Sequence, residues 1–355
     1  MNKYLSLKLK VISFFLMVMV VFLHSYNLVV KTNAGNIVLN KGYSSFIQDF
    51  FSQGITRIAV PLFFSISGYL FFLKMKGTLI EFISKFNKRL KTLLLPYLIW
   101  SIWGLLLYYI LQILPHSNTF FTNKLIRDYS IIELLSTIFL NPIPYQLWFV
   151  RDLLMIIILS PVIYWLIKYF KFFTVLFFLF TWFYGFNFIL FSNEAMFFFV
   201  CGAFLCIDNN KLIQIEFSEK SWIYICLWIV IVFLKTILVY KGFQNEIVLN
   251  ILHKTSILIG ILAIWRLYDF LFKNKDLNYY KFYTIFSFSF FLYAFHEPIL
   301  TIFTKGLFYI LGKSELVSLF IYIVAPLLTI TIAIFIGYYL KRIMPKFYGI
   351  ITGGR

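Results

Sequence analysis

Ten apolar runs govern what this chain can become. Read with a window of about 19 residues, they begin near Val11, Ile55, Thr92, Leu147, Phe172, Ala195, Ser221, Thr255, Thr284 and Ser318. A helix needs about 20 apolar residues to cross a bilayer, so the pattern predicts an all-α polytopic membrane protein of about ten transmembrane helices. The sixth run, Ala195 to Ile207, is short for a crossing and predicts a helix tilted against partners or broken. The first run opens on Lys3, Lys8 and Lys10 like a secretion signal. Its apolar stretch is too long for one and no A-x-A site follows, so it reads as an uncleaved helix.

Composition agrees, because 61% of residues are hydrophobic and only 13% charged, outside what a soluble domain of this length shows. The 46 Phe, 24 Tyr and 8 Trp suit a lipid-facing surface with aromatic belts at both interfaces. No polar stretch is long enough to form an extramembrane domain, so residues 1–355 read as a single membrane domain. Cys201, Cys206 and Cys226 lie in apolar runs and read as packing residues rather than disulfide partners, metal ligands or nucleophiles.

The net charge of +18 is a topology signal rather than a nucleic-acid footprint, because its distribution follows the connections. Of 32 Lys and Arg, 20 fall in alternate segments: the N-terminus, 74–91, 168–171, 208–220, 273–281 and the C-terminus. Eight occupy the intervening connections, and four (Arg57, Arg151, Lys235 and Arg266) lie within runs. The asymmetry predicts cytoplasmic termini, with membrane lipid rather than nucleic acid as the surrounding partner.

Ionisable residues inside such runs are costly in lipid, so they usually face a polar interior and usually serve a function. At about 1.5 Å of rise per residue, His24 is expected roughly 20 Å in from the cytoplasmic end of the first helix, and His296 about 18 Å along the ninth, which runs the same way. Arg57, and Arg151 with Asp152, enter from outside near the starts of the second and fourth helices and belong to the same outer third. Glu297 is followed by Pro298, which frees a backbone carbonyl one turn earlier and can place a bend beside His296. Each residue keeps a structural alternative: a histidine hydrogen-bonded to a neighbouring helix, or an arginine that snorkels to the interface. Lys235 and Arg266 read as interface anchors.

Five motifs occur in order: F-L-H-S (Phe22 to Ser25), R-I-A-V-P-L-F-F-S-I-S-G-Y-L (Arg57 to Leu70), L-L-P-Y-L-I-W (Leu94 to Trp100), L-W-F-V-R-D-L-L (Leu147 to Leu154) and F-L-Y-A-F-H-E-P (Phe291 to Pro298). As an ordered set covering nearly the whole chain, they resemble the acyltransferase family 3 integral membrane acyltransferases, in particular stand-alone enzymes that O-acetylate bacterial surface glycans. The resemblance implies a ten-helix core in a bacterial cytoplasmic membrane, acetyl-CoA as donor, and an envelope polysaccharide or glycolipid as acceptor. One departure stands out. Family members usually carry a basic residue eleven positions before the first-helix His, whereas this chain has Ser13, with Lys10 one turn earlier on roughly the same face.

Moving an acetyl group from a thioester to a sugar hydroxyl needs a base near neutral pKa, and His24 fits that role, with His296 as the alternative. Glu297 or Asp152 is the candidate carboxylate to orient the imidazole, while Arg57 or Arg151 can stabilise an oxyanion or hold an anionic glycan. Lys88, Arg89 and Lys91, together with Lys10, are candidates to hold the phosphates of coenzyme A, and equally satisfy the positive-inside bias. No G-x-S-x-G elbow supports a serine acyl-enzyme, and no H-E-x-x-H or grouped Cys and His points to a metal. Two other classes stay open: a transporter, as exporter or flippase of glycan intermediates, and a membrane scaffold or sensor whose ionisable groups are structural.

Overall fold

The structure, a computed structural model, describes residues 3–30, 37–38, 41–115, 121, 124–186, 188, 191–208, 221–272 and 281–354. Asn40 and the segments 209–220 and 273–280, which hold part of the charge expected in the cytoplasm, lie outside these residues. The helices are α1 (Lys3–His24), α2 (Tyr43–Ser52), α3 (Ala59–Phe72), α4 (Leu79–Arg89), α5 (Leu95–Ile113), α6 (Ile131–Phe139), α7 (Trp148–Ile158), α8 (Ser160–Phe170), α9 (Phe172–Tyr184), α10 (Asn193–Ile207), α11 (Ser221–Tyr240), α12 (Glu246–Phe272), α13 (Ser289–Leu311), α14 (Glu315–Ile343) and α15 (Pro345–Ile351). Strand among the described residues is a two-residue antiparallel ladder, Val29–Val30 on Ile37–Val38. The protein is all-α and polytopic.

Each expected run contains a helix, but the runs are not equal. Among the described residues, seven stretches are long and apolar enough to cross a bilayer: Lys3–His24, Tyr43–Phe72, Leu79–Ile113, Ser221–Tyr240, Glu246–Phe272, Thr284–Leu311 and Glu315–Ile343. The expected fourth run is a pair, Tyr145–Ile158 and Ser160–Phe170, bent by 61°. Pro161 sits at the break, where its missing N–H and its ring allow a helix to start but not to continue through. The fifth and sixth runs are the shorter α9 and α10, of 13 and 15 residues.

The chain forms two compact units. One comprises Met1–Leu16, Gly54–Leu90 and Asp152–Ser287; the other comprises Met17–Gln53, Lys91–Arg151 and Phe288–Arg355.

In the first unit α10 is the central element, packed on α3, α8 and α9, with Ala195 through Val200 and Ala203 buried. A helix that is apolar on every face must be enclosed. Enclosure by protein explains how a helix too short to match the bilayer alone is accommodated. Gly68 of α3 and Gly202 of α10 make the closest approach: a Cβ on Gly68 would lie 2.1 Å from the Phe199 carbonyl oxygen, and one on Gly202 1.8 Å from that of Ser65. Membrane helices gain their association largely from such close van der Waals contact. At another point of the unit Lys8 is ion-paired with Asp269 at 2.8 Å, and Tyr4 donates to the same carboxylate.

In the second unit α13 pairs with α14, and α2 packs on α14. Buried amide and hydroxyl groups tie these elements together. Gln48 donates to Asn27 and Ser318 at 3.1 and 2.9 Å, and Asn27 donates to the Ser318 carbonyl at 3.1 Å. The Trp100 indole donates to the Ile351 carbonyl at 2.9 Å, fastening α15 to α5.

Candidate active site

Two helices with internal prolines shape the site in the second unit. Pro298 of α13 has no N–H to offer the Ala294 carbonyl four residues back, and Glu297 departs from helical geometry (φ −108°, ψ 134°). Gln146 satisfies the carbonyls of Ala294 and Glu297 instead, its Nε2 donating at 3.3 and 3.1 Å. Pro326 of α14 likewise leaves the Tyr322 carbonyl without its helical donor, and Ser25 Oγ donates to it at 3.2 Å. Carbonyls left over by proline thus hold the residues that flank His24 and His296. The bend expected beside His296 is present.

His296 is fully buried, with Nδ1 2.8 Å from the Tyr293 carbonyl oxygen and 3.2 Å from that of Leu292. A carbonyl can only accept, so Nδ1 carries the proton and Nε2 the lone pair. That Nε2 lies 3.0 Å from Nδ1 of His24. His24 Nδ1 therefore donates, and the lone pair of His24 resides on Nε2. The two rings stack with centroids 5.2 Å apart, and the Tyr145 ring lies 4.9 Å from that of His24. His24 itself is half-buried at the last residue of α1. Two residues on, Tyr26 donates to Asp49 at 2.9 Å; burial, then the charge of Asp49, pushes the phenol pKa up and keeps it a donor.

Glu297 is 2% exposed and accepts hydrogen bonds from Tyr145 Oη at 3.3 Å and Thr301 Oγ1 at 2.7 Å. The sequence predicts a carboxylate, from Glu297 or Asp152, as the group that orients His24. The structure sets a second imidazole against His24 Nδ1, and Tyr145 stands between Glu297 and the His24 ring. Tyr145, Gln146 and Thr301 are site residues that sequence reasoning missed. Their signals were positional: Tyr145 and Gln146 immediately precede L-W-F-V-R-D-L-L, and Thr301 is one helical turn after Glu297.

The other expected residues sit as follows. Arg151, in this same unit, donates from Nη1 to the Leu140 carbonyl at 2.8 Å. Asp152 and Arg57 belong to the first unit. There Asp152 is buried and accepts from the N–H of Ser192, the N-cap of α10, at 3.0 Å, while Arg57 lies within Coulombic reach of Glu194. Lys10 is half-buried on α1, and Lys8 rather than Lys10 makes the pair with Asp269. Lys88 is exposed at the end of α4, and Arg89 stands 5.9 Å over the Phe71 ring, which Lys85 approaches to 5.8 Å. Lys91 is exposed in the second unit.

Comparison with known proteins places these motifs in context. The acyltransferase 3 family model, described as an acyltransferase domain, matches residues 8–340. The chain is similar to the succinoglycan biosynthesis protein ExoH of Rhizobium meliloti, with 24% identity over 331 residues that cover 89% of this chain and 84% of ExoH. No solved structure matches.

Proposed function

The chain belongs to the acyltransferase family, and from that membership we propose that it transfers an acetyl group from acetyl-CoA to a hydroxyl of an envelope polysaccharide or glycolipid, in a bacterial cytoplasmic membrane. The observation that carries the reading is the ordered chain from the Tyr293 carbonyl through His296 to His24, which leaves the lone pair on His24 Nε2. In the proposed step Nε2 takes the proton of the acceptor hydroxyl as its oxygen attacks the thioester carbonyl. The C–O bond forms, the C–S bond breaks, and the proton passes to the departing thiolate as coenzyme A. The imidazolium formed on the way sits at the C-terminal end of α1, where the helix dipole is negative, and is hydrogen-bonded to His296. Glu297 holds Tyr145 against the His24 ring and so fixes its plane.

Arg57, Arg151 and Asp152 are assigned to the acceptor, and Lys10, Lys88, Arg89 and Lys91 to the donor phosphates, on the strength of their charge and hydrogen-bonding chemistry. The name of ExoH, which places that protein in the biosynthesis of a bacterial polysaccharide, supports the acceptor class. Mass spectrometry of surface glycans from cells carrying wild-type protein or His24→Ala tests the reading. Loss of the acetyl mark with the glycan still on the surface is the expected result. Loss of the surface glycan itself would instead make the protein a transporter.

A further inference from the structure

Helix α4 of the first unit starts from a tight turn. Lys74 and Gly77 both adopt positive φ, 63° and 85°, and the Tyr164 hydroxyl donates to the Lys76 carbonyl at 2.8 Å. Thr78 caps the helix, and Glu81 completes the box by accepting from the N–H groups of Thr78 and Lys76 at 3.1 and 3.0 Å. Glu81 is the one acid beside six basic residues in 74–91, and the cap occupies it. The turn folds α4 back on the end of α3. Phe82 is buried against Tyr164 with ring centroids 6.0 Å apart, Lys85 donates to the Leu73 carbonyl at 3.4 Å, and Arg89 stands 5.9 Å over the Phe71 ring. A helix advances about 10 Å from Phe82 to Arg89, yet these contacts all fall on Tyr164 or on 71–73, the end of α3. Helix α4 therefore crosses the end of α3 instead of projecting beyond it.

That end is where a membrane-spanning stretch, Tyr43–Phe72, leaves the bilayer. Helix α5 alone supplies 19 residues, about what a crossing needs, so α4 is not required inside the hydrocarbon core. Its free side is nevertheless apolar. Phe82, Lys85 and Arg89 form the docked ridge, and Leu79, Ile80 and Ile83 lie on the neighbouring face, 73%, 80% and 50% exposed. Beyond them Ser84 and Lys88, one turn apart, are exposed on a polar face. An exposed apolar face bordered by a polar one, at the level where lipid tails give way to headgroups, is the pattern of a helix lying in the membrane interface. Lys74 and Lys76, both exposed in the turn before α4, bring positive charge to that level. Anionic headgroups attract such lysines.

We infer that α4 is an interfacial helix, with Leu79, Ile80 and Ile83 seated among lipid chains and Lys74 and Lys76 on anionic headgroups. The inference goes beyond the proposed reaction and is read without any transfer. The test uses full-length protein with Cys201, Cys206 and Cys226 replaced by alanine and one nitroxide, at Ile83→Cys or Ser84→Cys. Adjacent positions sit at nearly the same point along the helix and differ in the face they occupy. The vesicles are phosphatidylcholine alone or phosphatidylcholine mixed in equal parts with phosphatidylglycerol. Oxygen, which concentrates in lipid, and a nickel chelate, which stays in water, report the surroundings of each label through their collision rates. The oxygen-to-nickel ratio should be several-fold higher at position 83 than at position 84. The difference should grow with phosphatidylglycerol, and Lys74→Gln together with Lys76→Gln should abolish that growth. Melting temperature monitors folding. Should the alanine background prove unstable, a photoreactive benzophenone at position 83 or 84 of the otherwise native chain reads crosslinking to lipid instead.

Equal ratios at the two positions overturn the interfacial helix. A label at position 83 shielded from both reagents would mean that protein covers the face, and spin–spin broadening that fades on dilution with unlabelled protein would identify that protein as a second copy; either overturns the lipid assignment. The same ratio in both kinds of vesicle, or growth that survives the loss of both lysines, overturns the part given to anionic headgroups. Because no acetyl group moves in these measurements, failure of the proposed reaction leaves the helix assignment intact, and failure of the helix assignment leaves that reaction standing.

Discussion

The hydrogen-bond chain through His296 commits to a number. His296→Phe keeps an aromatic ring in the buried slot and removes the acceptor for His24 Nδ1–H, which the structure places 3.0 Å away. When His24 takes the proton of the acceptor hydroxyl that bond becomes charge-assisted and is worth about 1.5–3 kcal/mol. At about 1.4 kcal/mol for each factor of ten, kcat should fall about 10- to 150-fold, with KM for the acceptor little changed. His296→Gln, whose side-chain carbonyl can accept from His24, should recover part of the loss. His24→Ala removes the base itself and should cost about 100- to 10,000-fold. Because His296 acts through His24, the double variant should be no slower than His24→Ala alone. Initial rates of label transfer from acetyl-CoA to glycan in membrane vesicles, divided by the amount of enzyme on an immunoblot, provide the comparison. Wild-type kcat in His296→Phe refutes the reasoning, and so does a double variant whose loss is the product of the two single losses.

The asymmetry of basic residues predicts a topology: reporter fusions after Lys85 and Lys275 should signal cytoplasm and those after Asn40 and Gly312 the outside. An outside signal from Lys275 beside a cytoplasmic one from Lys85 would show that the run from Ala195 to Ile207 does not cross. Replacing Lys88, Arg89 and Lys91 with Gln should raise KM for acetyl-CoA and make donor binding less salt-sensitive, at normal abundance and orientation; unchanged donor dependence assigns these residues to topology alone. Gly202→Ala puts a methyl group 1.8 Å from the Ser65 carbonyl oxygen, so α3 and α10 must part. Overpacking of this kind costs about 1–3 kcal/mol, and a melting temperature equal to wild type would show that the two helices are not in backbone contact.

The helices were legible because apolar content is a local property of the chain. His24, His296 and Glu297 were legible for a related reason: an ionisable side chain among apolar neighbours is conspicuous whatever it touches. Their arrangement was not, since His24 and His296 meet across 272 positions and no local pattern records which nitrogen faces which. Tyr145, Gln146 and Thr301 are uncharged and carry no such penalty, so they pass for ordinary helix and loop residues. The shortness of α10 could be counted from the sequence, whereas its enclosure depends on Gly68 and Gly202 meeting across two helices.

Pro298 and Pro326 work by omission, since each withholds a hydrogen bond so that Gln146 or Ser25 can supply it. Pro326 lies inside α14, where proline is about 3 kcal/mol worse than alanine, which makes Pro326→Ala an obvious choice for anyone seeking a sturdier protein. The exchange would restore a backbone N–H that competes for the Tyr322 carbonyl and loosens Ser25, which now holds it. Pro298 follows the break at Glu297 and opens a new helical segment, a position that suits proline. A library sorted by heat resistance alone should therefore accumulate alanine at 326 and grow slower as it grows tougher, whereas sorting for turnover should keep Pro326.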